Sequence, residues 1–374
     1  MASAVGFLFF VIADQPLLPR KENVRWMLSP SCAGHFTLKK FGNIQEEILE
    51  VPFSALKELD LIPYLYKANS GPNRAPIQRI LDQFKQERGA TPIAAINAGF
   101  FDMATGLPIG FLIQEGEIEF FNMPQNIRRS MIGWRQGDSE NPIVITSPKH
   151  MPKVWIETPS QRFGVHHVNI PGGKHALSIF NPRFGRFIVP YPEAIYLIVE
   201  SNRIIQRIDT PRLPVLIPDH GYVIALHGDS KQIVSQLTLG TSCRLYCELS
   251  PKLRKASIVD GLLAGPRLLE GGSIQVTAVQ EGLEKLKSPD RVALGITKDQ
   301  TLLLAWFHHN DPKGLVSFED VATLLQKQGA VEAIGLDGGR SRSLWANIQD
   351  PAYQGVICET GRPISNILVL SRRP

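Results

Sequence analysis

The stretch Ser317-Phe-Glu-Asp-Val-Ala-Thr-Leu-Leu-Gln-Lys-Gln-Gly-Ala-Val-Glu-Ala-Ile-Gly-Leu-Asp-Gly-Gly-Arg-Ser341 decides how the chain is read. Ser317 followed three residues later by Asp320 is a capping-box variant, and Val316 stands where it can staple against Val321. Leu324 and Leu325 extend the apolar face, and Gly329 stops the helix. Val331 to Leu336 is then a mostly apolar strand that delivers Asp337-Gly338-Gly339 at its carboxyl end. A carboxylate there, followed by two glycines that let a ligand approach the backbone, is a candidate ligand site.

Outward from this block the same grammar recurs. Pro76 opens a helix with Ile77, Ile80, Leu81 and Phe84 at i, i+3, i+4 and i+7, closed by Gly89. Ile93 to Ile96 is a short buried strand leading into Asn97-Ala-Gly-Phe-Phe-Asp102. Hairpins are predicted at Phe111–Gln114/Glu117–Phe120, Ile195–Glu200/Arg203–Ile208 and Val292–Thr297/Thr301–Phe307, where short polar or glycine-containing joints separate alternating runs. The expectation is an α+β body of mixed, largely antiparallel sheets with a few amphipathic helices. Residues 15 to 75 show little sustained periodicity, so 1–75 reads as an N-terminal region, either apart from or within the same body, and 76–374 as the main domain. The proline-rich segment from about 142 to 220 reads as an inserted or flanking lobe.

Composition sets the limits. The 374 residues carry 40 basic and 35 acidic side chains, a net charge of +5, with 43% apolar and 20% charged positions, which excludes a disordered chain. No run approaches the 18 or more apolar residues of a membrane span. The pI of 9.0 reflects a dilute excess with no run of five Lys/Arg, so no nucleic-acid partner is expected. Four cysteines are too few for a disulfide scaffold, and Cys243 and Cys247 sit four apart on a strand-like segment, too distant to pair. No closely spaced Cys/His set completes a zinc pattern, so neither metal nor cofactor is expected. Ala4 to Ala13 reads equally as a signal-peptide apolar region or a buried strand. Zincin, serine-hydrolase, P-loop and dinucleotide-binding signatures are absent.

What remains is four glycine-punctuated blocks in order: Asn97-Ala-Gly-Phe-Phe101, Ala264-Gly-Pro-Arg-Leu-Leu-Glu-Gly271, Arg291-Val-Ala-Leu-Gly295 and Leu336-Asp-Gly-Gly-Arg-Ser341. With the closing Arg362-Pro-Ile-Ser-Asn-Ile-Leu strand, they resemble the phosphodiester glycosidase family from about residue 93 to 370. That family includes the enzyme that removes N-acetylglucosamine from mannose 6-phosphate tags. Two positions depart from its pattern: Gly335 stands where Asn is usual, and Arg340 where a third Gly is usual.

The resemblance implies hydrolysis of a sugar 1-phosphodiester, small-molecule or oligosaccharide, and an extracytoplasmic location. Asp337 and Asp102 are the candidate catalytic carboxylates. Asn97, Gly99, Arg291, Gly338, Gly339, Arg340 and Ser341 are the candidate substrate-binding residues, with Arg291 suited to phosphate because guanidinium matches it bidentately. Each has a plainer reading: a turn cap for Asp337, an Asx turn for Asn97, a salt bridge for Arg291, a loop residue for Asp102, and a core role for Phe100 and Phe101. Of His308 and His309, adjacent on a strand, at most one faces the site. The alternative function is a non-catalytic glycan or anionic polysaccharide binding protein on the same fold. Oligomeric state is not legible.

Overall fold

In the computed structural model the described residues are 24–29, 32–68, 72–123, 128–135, 143–149, 151–170, 176–191, 193–347, 355–359 and 361–373. The segment Ala4 to Ala13 lies outside them.

Three large sheets carry the architecture. The first has eight strands in the order Val24–Ser29, Cys32–Phe41, Ile44–Pro52, Thr301–His309, Asp290–Thr297, Ala330–Gly335, Arg267–Glu270, Ser273–Ile274. The second has five: Gly355–Glu359, Ser343–Ala346, Thr91–Asn97, Asn366–Arg372, Leu59–Leu65. The third has ten, running from Arg203–Ile208 through Ile195–Glu200, Gly221–Leu226, Leu177–Phe180, His167–Val168, Glu117–Asn122, Gly110–Gln114, Asp260–Ala264 and Ser130–Trp134 to Ile143–Thr146. Pairing within these sheets is antiparallel except between His167–Val168 and Leu177–Phe180. The fold is α+β with largely antiparallel sheets, as the hairpin pattern requires.

One apolar core joins all three sheets. Leu294, Trp306, Ile334 and Leu336 of the first meet Ile96, Leu344 and Leu368 of the second and Leu112, Ile132 and Leu262 of the third. Strands that bury both faces need apolar residues at consecutive positions, which is why Ile93–Ile96 lacks alternation.

Two helices cover the outer faces. Ile77–Arg88 places Ile77, Ile80, Leu81 and Phe84 against Ala95, Ile367 and Val369 of the five-stranded sheet, and Gly89 closes it by donating its N–H to the Lys85 carbonyl at 2.9 Å. Phe318–Lys327 lays Val321, Ala322, Leu324 and Leu325 on Leu268, Ala293 and Ala333 of the eight-stranded sheet. Its capping box is complete: Ser317 Oγ accepts from Asp320 N–H at 3.0 Å and Asp320 Oδ2 accepts from Ser317 N–H at 2.9 Å. Val316 and Val321 pack in the same cluster, as a staple should.

The three hairpins form with the expected partners. Ser201 and Asn202 both take positive φ, 50° and 58°, as a type I′ turn demands. The segment 142–220 is not a separate lobe. Five of its strands, Ile143–Thr146, His167–Val168, Leu177–Phe180, Ile195–Glu200 and Arg203–Ile208, lie in the ten-stranded sheet with Gly110–Gln114 and Glu117–Asn122, because its prolines sit in connections and leave the strands free to pair. Four strands precede Leu65 where little periodicity was legible; Ile44–Pro52 pairs along its length with Thr301–His309.

Ser317→Ala removes one reciprocal cap, so the denaturation midpoint should fall by the equivalent of about 1 kcal/mol with the slope of the transition unchanged. A change in slope would mean that more than the helix end was lost.

Candidate functional site

Strand Ala330–Gly335 ends beside strand Asp290–Thr297, with Leu336 N–H on the Val292 carbonyl at 2.8 Å. The next residue, Asp337, crosses to the neighbouring sheet, its N–H donating to the Ala98 carbonyl at 2.8 Å. A short 3₁₀ turn, Gly339–Ser341, then carries the chain into strand Ser343–Ala346 of the five-stranded sheet. Gly339 takes φ +61°, a left-handed conformation that a side chain would strain.

Asn97 holds this crossing at both ends. Its Nδ2 donates to the Asp337 carbonyl, and its Oδ1 accepts from Ser343 N–H at 3.0 Å. The residue is 1% exposed, so the amide faces protein backbone and is not turned outward to a ligand. Gly99 is clamped by Asn366, whose Oδ1 accepts from Gly99 N–H at 2.6 Å and whose Nδ2 donates to Gly99 carbonyl at 3.2 Å.

Asp337 is 9% exposed, and its carboxyl meets two groups. Ser341 hydrogen-bonds it, and Arg362 Nη2 stands 3.8 Å from Oδ2. Arg362 Nη2 also donates to Ser341 Oγ, and its guanidinium lies 5.5 Å from the Phe101 ring centroid. Burial pushes the Asp337 carboxyl up to about 6, against the smaller opposing pull of the Ser341 hydrogen bond and the Arg362 charge. A carboxyl poised there exchanges its proton near neutral pH, as general acid–base work requires.

The other expected site residues are dispersed. Arg291 donates from Nε to the Val316 carbonyl at 3.1 Å and from Nη2 to the Leu286 carbonyl, and stacks 4.2 Å from the Phe318 ring centroid. Its guanidinium lines a cavity of about 320 Å³ with Leu286, Ser288, Leu315 and Phe318, on the face covered by the Phe318–Lys327 helix. Only its backbone approaches the site, where a Cβ on Gly338 would lie 3.4 Å from Arg291 Cα. Asp102 is exposed and caps its own turn: Thr105 N–H and Oγ1 each donate to Oδ1 at 2.8 Å, and Thr105 chiefly holds the carboxyl below its usual range. Arg340 is exposed on the 3₁₀ turn. His308 Nδ1 pairs with Asp290 Oδ1 at 2.8 Å, an oxygen that also lies 3.1 Å from Arg342 Nε; His309 serves its own loop through Asp311. Phe100 and Phe101 diverge into different clusters, and Phe100 lies 5.4 Å from the Arg129 guanidinium.

Gly335 has a steric reason. A Cβ there would stand 3.0 Å from both the Gly265 carbonyl oxygen and Pro266 Cδ, so any side chain there needs these neighbours to give by a few tenths of an ångström. Sequence reasoning passed over Arg362 and Asn366 because it took Arg362 to Leu368 as one closing strand. The strand proper is Asn366–Arg372, and an arginine, a serine and an asparagine ahead of an apolar run were the available signal. Among the described residues no group of three or more His, Cys, Asp or Glu could hold a metal ion, and no helix is long and apolar enough to cross a membrane. Among the described residues Cys243, Cys247 and Cys358 form no disulfide.

Residues 196–371, which include Asp337, Ser341 and Arg362, match the family model for phosphodiester glycosidase. No curated protein matches. Among solved structures, a hypothetical protein from Synechocystis superposes with a TM-score of 0.71 at 22% identity, covering 91% of this chain and 62% of its own length. A Burkholderia pseudomallei protein described as exported gives 0.63 at 17%, covering 90% of this chain and 74% of that one. The zebrafish N-acetylglucosamine-1-phosphodiester alpha-N-acetylglucosaminidase catalytic domain, auto-inhibited by its pro-peptide, gives 0.46 at 15%, covering 92% and 85%. The chain therefore spans just over three fifths of the Synechocystis protein.

The raised Asp337 value has a thermodynamic consequence. A carboxyl lifted from 3.8 to about 6 by folding contributes most below pH ~4, and that contribution is lost as pH rises through about 6. Asp337→Asn should thus be more stable than wild type at pH 8, by up to about 3 kcal/mol, with the gap closing below pH ~4. Melting curves across this range measure it; a gap independent of pH would show that the carboxyl is not strained by burial. For Arg291→Lys, loss of two carbonyl contacts and the ring stack should lower the melting temperature, whatever it does to turnover.

Proposed function

We propose that the protein hydrolyses a sugar 1-phosphodiester, with Asp337 as the reacting carboxylate and Arg362 as the cation that meets the phosphate. The observation that carries this reading is a nearly buried carboxyl, pushed up to about 6, beside an arginine on a glycine-flanked turn within the stretch that matches the family. The bond between the anomeric carbon and a phosphodiester oxygen breaks through an oxocarbenium-like transition state, and water supplies the new hydroxyl. The departing phosphate is a weak base and needs little protonation, so one carboxylate and a guanidinium suffice without a second carboxylic acid. This fits Asp102, whose Oδ1 is engaged in its own turn.

Asp337 either takes the proton of the attacking water or attacks the anomeric carbon itself, and the anomer first released distinguishes them. Asn97 and Ser341 act as positioning residues, one fixing the backbone of the turn and the other the carboxyl and the guanidinium. Arg340, exposed on the same turn, supplies a second positive charge toward an anionic substrate. The resemblance makes N-acetylglucosamine the sugar to try first.

Incubation with an N-acetylglucosamine α-1-phosphodiester, and with a panel of other sugar phosphodiesters, should release reducing sugar. Asp337→Asn should cut kcat/KM by about 10² to 10⁴. Because the base must be ionised, wild-type kcat/KM should rise with pH through about 6. Arg362→Lys, which keeps the charge but loses the planar fork, should lose at least tenfold, since each 1.4 kcal/mol of lost transition-state contact is a factor of about ten. Saccharide binding with no release from any substrate would select the non-catalytic reading instead.

A further inference from the structure

The outer face of the ten-stranded sheet carries a small two-stranded ribbon with no part in the Asp337 site. Phe187–Ile188 pairs antiparallel with Val215–Leu216, Phe187 opposite Leu216 and Ile188 opposite Val215. Ile188 and Val215 point inward, buried with Phe180, Tyr196 and Val223. Strand alternation then sends Phe187 and Leu216 outward, and Val189 and Pro214, two residues along each chain, to the same side.

These side chains are left in the open. Phe187 is 52% exposed, Val189 74%, Leu213 76% and Leu216 71%, and Pro214 is exposed as well. Isolated apolar residues on a surface need no explanation, but five on one ribbon do. Arg186 and Arg212 flank them, both exposed, with no ion pair to either among the described residues. The two stretches 186–190 and 211–217 contain these two arginines and no acidic residue. Arg207 nearby is taken by Asp209 at 2.6 Å.

We propose that this ribbon docks the protein on an anionic lipid surface, the apolar side chains entering the headgroup boundary and the two arginines meeting lipid phosphates. Two observations choose this occupant. Five side chains fall far short of the roughly 20 to 30 residues a side of a stable protein interface. Apolar insertion combined with unpaired cations is the pair of signals that reversible attachment to a charged bilayer requires, neither sufficing alone. The inference is independent of the proposed chemistry, since none of these residues touches Asp337, Ser341 or Arg362.

The test is sedimentation of the full chain with vesicles of equimolar phosphatidylserine and phosphatidylcholine, and with phosphatidylcholine alone. Wild type should pellet with the first and stay in solution with the second. Leu213→Ser/Leu216→Ser should abolish pelleting without lowering the melting temperature. Arg186→Gln and Arg212→Gln should each weaken it about fivefold, the value of one basic residue near such a surface. Failure of wild type to pellet would overturn the proposal, as would equal pelleting by the serine variant. So would a wild-type dimer, seen by sedimentation velocity, that the serine variant dissociates, because the face would then be a protein interface.

Discussion

The amide of Asn97 is the interaction on which the rest of the site depends. One side-chain oxygen and one nitrogen bind the backbone at Asp337 and at Ser343, the two ends of the turn that passes from the eight-stranded to the five-stranded sheet. With no water to compete at a residue 1% exposed, both bonds act in a low-dielectric setting where an unmade partner would be costly. Two sheets that share a core could slide relative to each other by small repacking; this clamp fixes where the end of one meets the start of the other. Gly99, held by Asn366, fixes the next stretch of chain in the same manner.

That fixity lets a carboxyl sit where it is not comfortable. Burial opposes ionisation of Asp337 more strongly than Ser341 and Arg362 favour it, so the folded state carries a destabilised carboxylate at neutral pH. Arg362 at 3.8 Å is too distant for a close charge-assisted bond and is occupied with Ser341 and the Phe101 face. A tighter ion pair would have lowered the carboxyl to an inert value. On the proposed function, stability and reactivity are set against each other by the same burial.

The arginines illustrate how position decides role. Arg291 and Arg362 both stack on a phenylalanine, yet Arg291 spends its donors on the Val316 and Leu286 carbonyls behind the sheet, while Arg362 faces the carboxyl. Arg267, 1% exposed, is paired with Glu270 and Glu332 and closes a strand edge. Arg186 and Arg212 stand open beside apolar side chains on the far ribbon. Identical chemistry serves anchoring, electrostatics or surface attachment according to what the fold places opposite it.

By itself the sequence determined both packed helices, the three hairpins and the strand that presents Asp337, because each is encoded by contacts within a few residues: the Ser317–Asp320 box, the i, i+3, i+4, i+7 faces, the paired turn residues. It was silent on the strands before Leu65, where Glu46 and Glu47 are buried and break the alternation; burial raises the Glu46 carboxyl to about 7, beside Lys39 and a 2.9 Å hydrogen bond from Gln328. The tertiary structure alone decided that Arg362, not Arg291, stands beside Asp337 and that Asn97 spends its amide on backbone. Those outcomes depend on which face a residue occupies once strands more than two hundred positions apart are joined, and local periodicity carries no information about the partner strand.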